Sequence, residues 1–241
     1  MERKLDFPAT VNARDLGGYT TTGGATTRWG ALVRADSTSR LTPAGVQAVL
    51  DYGVRTIIDL RFADEVERHP SAFESTNHGS RYIAHSLLGE SWERFIEHGA
   101  VFGDSYWYGS FLDLRQSQIG HVLGLIADAP AGGVLYHCAV GKDRTGVISM
   151  LLLTNAGVPD EIVAQDYALS AVYLREEAIQ YINMTDDPAQ KARVEDGYSC
   201  RPEYALGTLN HLNRRYGSVQ GYMRAVGLTD EQITRLCKRL V

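Results

Sequence analysis

The sequence predicts an α/β fold in which helices flank a central, mainly parallel sheet. Two short apolar runs are typical of buried strands, Val54 to Leu60 and Gly132 to His137, and helical segments follow them. The second strand leads directly into Cys138 and then into an apolar helix from about Thr145 to Ala156. This alternation of buried strands and helices favours parallel pairing.

The other elements are predicted from local signals. Thr42 and Pro43 are typical of a helix start, and Gly53 is typical of a helix end. The glycine-rich N-terminus, which includes the run Ala31 to Val33, predicts a small β ribbon. Further helices are predicted up to Asp128, from Pro159 to about Tyr173 and from Thr229 to Leu240, whereas the polar segment from Asp186 to Pro202 predicts a loop.

Composition excludes several classes of protein. The 241 residues are 44% hydrophobic and 22% charged, and no repeat or break in composition divides them, so we expect one domain over residues 1–241. The net charge of -5 argues against nucleic acid or anionic membranes as general partners. Cys138, Cys200 and Cys237 are too few and too scattered for a disulfide framework. With no signal segment or membrane span in the sequence, we expect a cytoplasmic protein.

The candidate catalytic residues lie in one run at residues 137–146, which reads His-Cys-Ala-Val-Gly-Lys-Asp-Arg-Thr-Gly. A loop that enters a helix N-terminus directs several backbone N–H groups at one point, where the helix dipole also favours an anion. Cys138 at the start of such a loop has its thiolate stabilised, and Arg144 at its end can hold two phosphate oxygens. The alternative is a structural cysteine followed by a solvated charge run. The flanking strand and helix, Gly141 and Gly146 favour the phosphate loop.

The same run resembles the signature loop of the protein tyrosine phosphatase superfamily. More narrowly, it resembles the atypical bacterial tyrosine/serine phosphatases of dual or triple specificity, some of which accept lipids, whose loop reads His-Cys-x-x-Gly-Lys-Asp-Arg-Thr-Gly. Asn12 to Tyr19 resembles that family's Asn-Phe-Arg-Asp-Leu-Gly-Gly segment, with Ala13 where the family often has an aromatic residue. Asp59 to Arg61, with Glu65, and Tyr216 to Thr229 resemble further family segments, so the resemblance covers nearly the whole chain.

The chemistry gives the loop residues distinct roles. The Cys138 thiolate is expected to attack phosphorus and form a phosphocysteine, which water then hydrolyses. Thr145 either assists the departing sulfur or serves only as a helix N-terminal residue. His137 either orients the loop or is a satisfied core histidine. The phosphate-binding residues are expected to be Ala139, Val140, Gly141, Lys142, Asp143 and Arg144.

The leaving group needs a proton, and the sequence contains no Trp-Pro-Asp segment of the kind that many relatives use. The family resemblance implies Asp143, inside the loop, as the general acid. Asp104 and Asp113, in or near the aromatic stretch upstream, are alternatives.

Asp59 and Arg61 end one predicted strand, and Cys138 follows another, so parallel pairing would place all three at one sheet edge. Asp59 is expected to pair with Lys142 while Arg61 supports the site, or Asp59 and Arg61 form an ordinary ion pair at the strand end. Lys142 adds positive charge that suits a second phosphate, as in phosphoinositides, although a solvated lysine has the same sequence signature.

Three further features of the sequence lie outside the phosphate loop. Arg14 and Asp15 are expected to brace the loop. The aromatic residues between Trp92 and Phe111 form either helices packed on the sheet or a lid over the site. The seven histidines lack zinc-ligand spacing, so neither a metal nor another cofactor is expected.

The sequence therefore predicts a cysteine-dependent phosphate monoester hydrolase that acts on phosphotyrosine, with phosphoserine, phosphothreonine and phosphoinositides as further substrate classes. Its partners are expected to be a phosphorylated protein or lipid, with inorganic phosphate as product. The resemblance also leaves export without an obvious signal open. A phosphate-binding pseudophosphatase, or a sulfur or arsenic transfer protein, are the alternatives.

Overall fold

The computed structural model describes residues 2–74, 79–88 and 105–241, and within them one sheet has five strands. Their order across the sheet is β1-β2-β5-β3-β4. Strands β2, β5, β3 and β4 pair in parallel, and β1 joins the edge antiparallel to β2, so the predicted mainly parallel sheet is confirmed. The strands are β1 (Arg14–Asp15), β2 (Leu32–Ala35), β3 (Val54–Asp59), β4 (Arg81–Ala84) and β5 (Gly133–His137).

Helices flank this sheet along the described part of the chain, and the predicted α/β class is confirmed. They are α1 (Pro43–Asp51), α2 (Ala63–Arg68), α3 (Ser105–Leu114), α4 (Gln116–Ala127), α5 (Asp143–Asn155), α6 (Asp160–Tyr173), α7 (Arg175–Asn183), α8 (Pro188–Tyr198), α9 (Pro202–Tyr216), α10 (Val219–Ala225) and α11 (Asp230–Leu240). Local capping is as the sequence predicts. The Thr42 side chain accepts from the Gly45 N–H at the start of α1, and Thr229 forms a capping box with Gln232 at the start of α11.

Alternate side chains of the strands pack into two apolar cores, one on each face of the sheet. Val134 and Tyr136 of β5 face the larger core, which α4, α5, α6, α9 and α11 complete. Leu135 faces the smaller core, which α1 covers. Successive side chains of a strand point to opposite faces of the sheet. A central strand that is covered on both faces must therefore be apolar throughout.

The carboxyl ends of three parallel strands lie level at one edge of the sheet. His137 at the end of β5 is in register with Ala35 of β2 and Asp59 of β3. The three strands are therefore followed, at the same edge, by Asp36, Cys138 and Leu60. Open α/β sheets bind their ligands at this edge.

Two expectations from the sequence need correction. The N-terminal β pairing exists, with β1 antiparallel to β2 and a bridge between Thr20 and Thr26, but Leu32–Ala35 also pairs with β5 and belongs to the central sheet. The predicted loop from Asp186 to Pro202 is wrong, because α8 occupies most of it. Asp187 caps that helix and Pro188 begins it, but its residues are too polar to show a buried stripe.

Residues 89–104, which include most of the predicted aromatic stretch and Asp104, lie outside the described residues. Among the helices that the structure describes, none has the length and apolar character that a membrane span requires.

Candidate active site

The phosphate loop, residues 138–142, connects β5 to α5 at the aligned sheet edge. Cys138 follows the last strand residue directly, and its side chain is buried, with 1% of its surface exposed. Gly141 has φ of 70°, and a Cβ there would lie 2.5 Å from the Ala35 carbonyl oxygen. Glycine is therefore required at the point where the loop passes over the end of β2.

Arg144 lies in the first turn of α5, where its guanidinium forms a bidentate ion pair with Glu65. Arg144 Nη1 is 2.6 Å from Glu65 Oε2, and Nη2 is 3.1 Å from Oε1. Burial opposes the charge of Arg144, but electrostatic interactions with Cys138 and Asp143 and the ion pair with Glu65 outweigh it and raise the pKa of Arg144. Arg144 is thus held in place by Glu65 and carries a positive charge.

Sequence reasoning assigned no role to Glu65, although its carboxylate contacts Arg144. Its Oε2 also accepts the Phe62 backbone N–H at 2.8 Å, at the start of α2. Burial disfavours the Glu65 carboxylate, but the hydrogen bonds and charge of Arg144 reverse this and lower its pKa. The spacing of Glu65 after the Asp-Leu-Arg segment was the available signal.

Asp59 and Arg61 form a buried ion pair with each other at the end of β3. Arg61 donates to Asp59 through Nε at 2.9 Å and Nη2 at 2.6 Å, and the Tyr82 hydroxyl adds a contact of 2.9 Å. Burial opposes the charge of Asp59, but His137 and Arg61 together lower its pKa. The predicted pairing of Asp59 with Lys142 is wrong, because the nearer Arg61 takes both carboxylate oxygens.

His137 lies under the loop in a buried position. Its Nε2 is 3.1 Å from Thr38 Oγ1, and its Nδ1 is 3.1 Å from the Cys138 carbonyl oxygen. Burial lowers the pKa of His137 in spite of the nearby Asp59, so the ring is neutral at neutral pH. A neutral imidazole with Nδ1–H donates to the carbonyl and can accept from Thr38.

Asp143 begins α5 and is bound from the side by a tyrosine. The Tyr108 hydroxyl donates to Asp143 Oδ1 at 2.5 Å, and Tyr108 and Tyr167 share a hydrogen bond of 2.7 Å. Burial and the Asp143 charge raise the pKa of Tyr108, so this hydroxyl keeps its proton. The alternative Asp113 lies elsewhere, on α3, where Tyr216 of α9 donates to it at 2.6 Å.

Lys142 and Thr145 complete the loop region. Lys142 is buried, with 1% exposure, and its Nζ donates to the Gly197 carbonyl oxygen of α8 at 2.5 Å. It also lies 3.5 Å from Asp143 Oδ1, so it is turned toward α8 and not toward open solvent. Thr145 Oγ1 is buried without a hydrogen-bond partner among the described residues.

Two cavities border the loop, and α7 and α8 form part of their walls. The first has a volume of about 390 Å³ and the second about 320 Å³. The first is lined by Ser37, Ser39, Arg40, Arg61, Glu65, His69, Ala139, Val140, Glu177 and Tyr181. The second is lined by Val140, Lys142, Asp143, Gln190, Arg193, Val194, Gly197 and Tyr198.

Comparison with known proteins agrees with this geometry. The model of the tyrosine phosphatase family matches residues 5–241. A tyrosine-protein phosphatase of Nostoc commune is 35% identical, over 87% of this chain and 74% of that protein. The triple specificity protein phosphatase PtpB of Mycobacterium tuberculosis is 27% identical, over 96% of both chains. The chain therefore belongs to the tyrosine phosphatase family and is a phosphatase.

Proposed function

We propose that this phosphatase hydrolyses phosphate monoesters through a phosphocysteine on Cys138. The observation that carries the proposal is the position of Cys138 at the start of a loop that enters α5, with Arg144 in the first turn of that helix. Helix N-terminal amides and a guanidinium are the groups that bind a phosphate at such a position. A bound phosphate would thus be stabilised while the thiolate attacks it.

The reaction has two balanced steps. The Cys138 thiolate forms a bond to phosphorus, and the bond from phosphorus to the ester oxygen breaks while Asp143 gives that oxygen its proton. Water then attacks phosphorus, the S–P bond breaks, inorganic phosphate leaves and Asp143 takes up the proton of the water. Arg144 and the loop amides hold the charge of the equatorial oxygens in both steps.

Arg144 can bind phosphate oxygens and keep its ion pair with Glu65. A guanidinium has five N–H donors, and Glu65 occupies one on each terminal nitrogen. The ion pair fixes the plane of Arg144 and leaves the remaining donors for phosphate oxygens. Thr145, whose hydroxyl is unpaired among the described residues, is proposed to bond the sulfur as it departs.

We propose phosphotyrosine as the main substrate, with phosphoserine, phosphothreonine and phosphoinositides as further classes. The triple specificity named for the Mycobacterium tuberculosis relative supports the broader range. The cavities of about 390 and 320 Å³ on the two sides of the loop offer room for an aromatic ring or a second phosphate. Because Lys142 is 1% exposed and its Nζ donates to the Gly197 carbonyl, binding of a second phosphate by Lys142 would require this side chain to move.

The deciding experiment measures phosphate release from a phosphotyrosine peptide, a phosphoserine peptide and a monophosphorylated phosphoinositide, with chelator present. Wild type, Cys138→Ser and the matched control Cys237→Ser, which changes a partly exposed thiol on α11, are compared. We expect turnover by wild type and the control, none by Cys138→Ser, and labelled phosphate on Cys138 after acid quench. Binding without turnover by wild type would instead identify a pseudophosphatase.

The general acid is tested by leaving-group dependence. Proton donation contributes roughly 10²- to 10⁴-fold, so Asp143→Asn should slow hydrolysis of an alkyl or phenyl phosphate by about that factor. Nitrophenyl phosphate, whose leaving group scarcely needs a proton, should be affected far less. Equal losses on both substrates would remove Asp143 from this role.

A further inference from the structure

A buried polar cluster lies directly beneath the phosphate loop. It consists of Asn12, Arg14, Arg34 and Asp166, called the floor cluster below, and each of these residues is at most 1% exposed. Burial of two guanidinium groups and a carboxylate costs several kcal/mol per ion unless each is paired and hydrogen-bonded. Such a cluster therefore differs from an ordinary apolar core, and its contacts with the phosphate loop indicate its role.

Two members of the floor cluster bind consecutive carbonyl groups of the loop. Asn12 Nδ2 donates to the Val140 carbonyl oxygen at 2.9 Å, and Arg34 Nη2 donates to the Gly141 carbonyl oxygen at 2.8 Å. The preceding carbonyl, of Ala139, accepts the Ser37 backbone N–H at 2.9 Å. Three carbonyl oxygens in a row are thus bound by groups from the N-terminal segment, from β2 and from Ser37, which follows β2.

These contacts determine where the loop amides point. In a planar trans peptide, the N–H points opposite to the C=O of the same peptide unit. When the carbonyls of residues 139, 140 and 141 bind donors outside the phosphate site, the N–H groups of residues 140, 141 and 142 are turned the other way. Those N–H groups are the donors that a phosphate in this loop requires.

Asp166 of α6 holds both donors in place. Its Oδ2 accepts from Arg34 Nη1 at 2.8 Å, and its Oδ1 accepts from Arg14 Nε at 3.1 Å. Arg14 Nη1 in turn donates to Asn12 Oδ1 at 2.6 Å, which fixes the amide so that Nδ2 faces Val140. The carboxylate of Asp166 therefore orients Arg34 directly and Asn12 through Arg14.

The floor cluster also carries charge. Burial opposes the carboxylate of Asp166, but the charges of Arg14 and Arg34 lower its pKa to about 2. Two guanidinium groups and one carboxylate leave one positive charge beneath a loop whose ligand is a phosphate dianion. A buried charge at this depth is weakly screened by salt.

We propose that Asn12 and Arg34 are positioning residues of the phosphate loop, which turn its amides toward the phosphate by binding the carbonyls of Val140 and Gly141. The proposal rests on the proposed function of the same loop. It makes these two residues determinants of phosphate affinity, although both lie behind the loop.

The experiment measures binding of inorganic phosphate by calorimetry, together with kcat, KM and thermal stability. Asn12→Ala is compared with Asn155→Ala, because Asn155 is also buried and donates to a backbone carbonyl, that of Ile233, at 3.1 Å. We expect both variants to lower the melting temperature, but only Asn12→Ala to weaken phosphate binding, by about tenfold. Arg34→Met should weaken it more, and Arg34→Lys, which keeps one charge but not the fork, should fall between.

The outcomes separate this proposal from the function on which it rests. Phosphate affinities within twofold of wild type for Asn12→Ala and Arg34→Lys would overturn the positioning role. Wild type that binds phosphate but does not turn over substrate, with weaker binding in the variants, would support positioning and overturn only the catalytic mechanism. Wild type that binds no phosphate would overturn both.

Discussion

Two regions that contact the phosphate loop differ in burial. Each residue of the floor cluster, below the loop, is at most 1% exposed. By contrast, α7 and α8, which are fully described and lie beside the loop, contain no buried residue. The floor is joined to the loop by hydrogen bonds from Asn12 and Arg34, and an ion-paired Asp166 fixes these donors. The cover helices, α7 and α8, reach the loop through the bond from Lys142 Nζ to the Gly197 carbonyl.

This difference separates what must stay fixed from what can change. Segments with little buried apolar surface open at low free energy, whereas segments tied into the core open only with global unfolding. If the loop is positioned as proposed, its amide geometry is set from the buried side, and we expect α7 and α8 to adapt to substrates of different size without disturbing it. The predictions below test this contrast, from the largest expected effect to the smallest.

The largest effect is expected at Asp166. Asp166→Asn removes the only carboxylate of the floor cluster and leaves Arg14 and Arg34 facing each other, so we expect a loss of roughly 3–5 kcal/mol in the free energy of unfolding. In the cover, Glu177→Gln weakens a single hydrogen bond from Tyr198, of 3.0 Å, and should cost less than about 1 kcal/mol. Urea denaturation measures both, and similar losses would contradict the contrast.

The effect of Asp166→Asn on stability is expected to depend on pH. Asp166 has a pKa lowered from 3.8 to about 2 in the folded protein. Its stabilising contribution is therefore complete above the unfolded value of 3.8 and is lost as the pH falls through the folded value. The difference in stability between wild type and Asp166→Asn should accordingly shrink between about pH 4 and pH 2. A constant difference over that range would show that folding does not lower the pKa of Asp166.

An intermediate effect is expected at Gly141. Gly141→Ala places a Cβ 2.5 Å from the Ala35 carbonyl oxygen at φ of 70°, so both backbone strain and a clash arise. Gly24→Ala has a similar φ of 80° but no described atom within 4 Å of the new Cβ, and should cost only the strain, about 1–2 kcal/mol. We expect a clearly larger stability loss for Gly141→Ala, and at least tenfold weaker phosphate binding for that variant alone.

The smallest effect is expected in the cover. Lys142→Met removes the donor to Gly197, which is worth about 1 kcal/mol, and should speed amide exchange in α8 roughly fivefold while α5 is unchanged. Lys191→Met makes the same chemical change within α8 and serves as control. If both variants change exchange equally, Lys142 does not hold the cover helix.

The sequence predicted the parts of the site that are local. Cys138, Gly141 and Arg144 lie within one strand-loop-helix unit, and backbone preference and helix capping act over a few residues. Asp59 and Arg61 were expected at the same sheet edge because parallel strands end together, and the register confirms it. By contrast, α8 was missed because a helix without a buried face has no apolar periodicity to detect.

The sequence alone determined the α/β class, the phosphate loop and the edge at which it lies, because these depend on apolar periodicity and on a contiguous run of residues. Only the tertiary structure decided the partners: Arg61 for Asp59, Gly197 for Lys142, Glu65 for Arg144, and Asp166 for Arg14 and Arg34. Most of these pairs are separated by many tens of residues, so they depend on strand order and helix packing. Several charged residues compete for each partner, and burial together with distance selects among them.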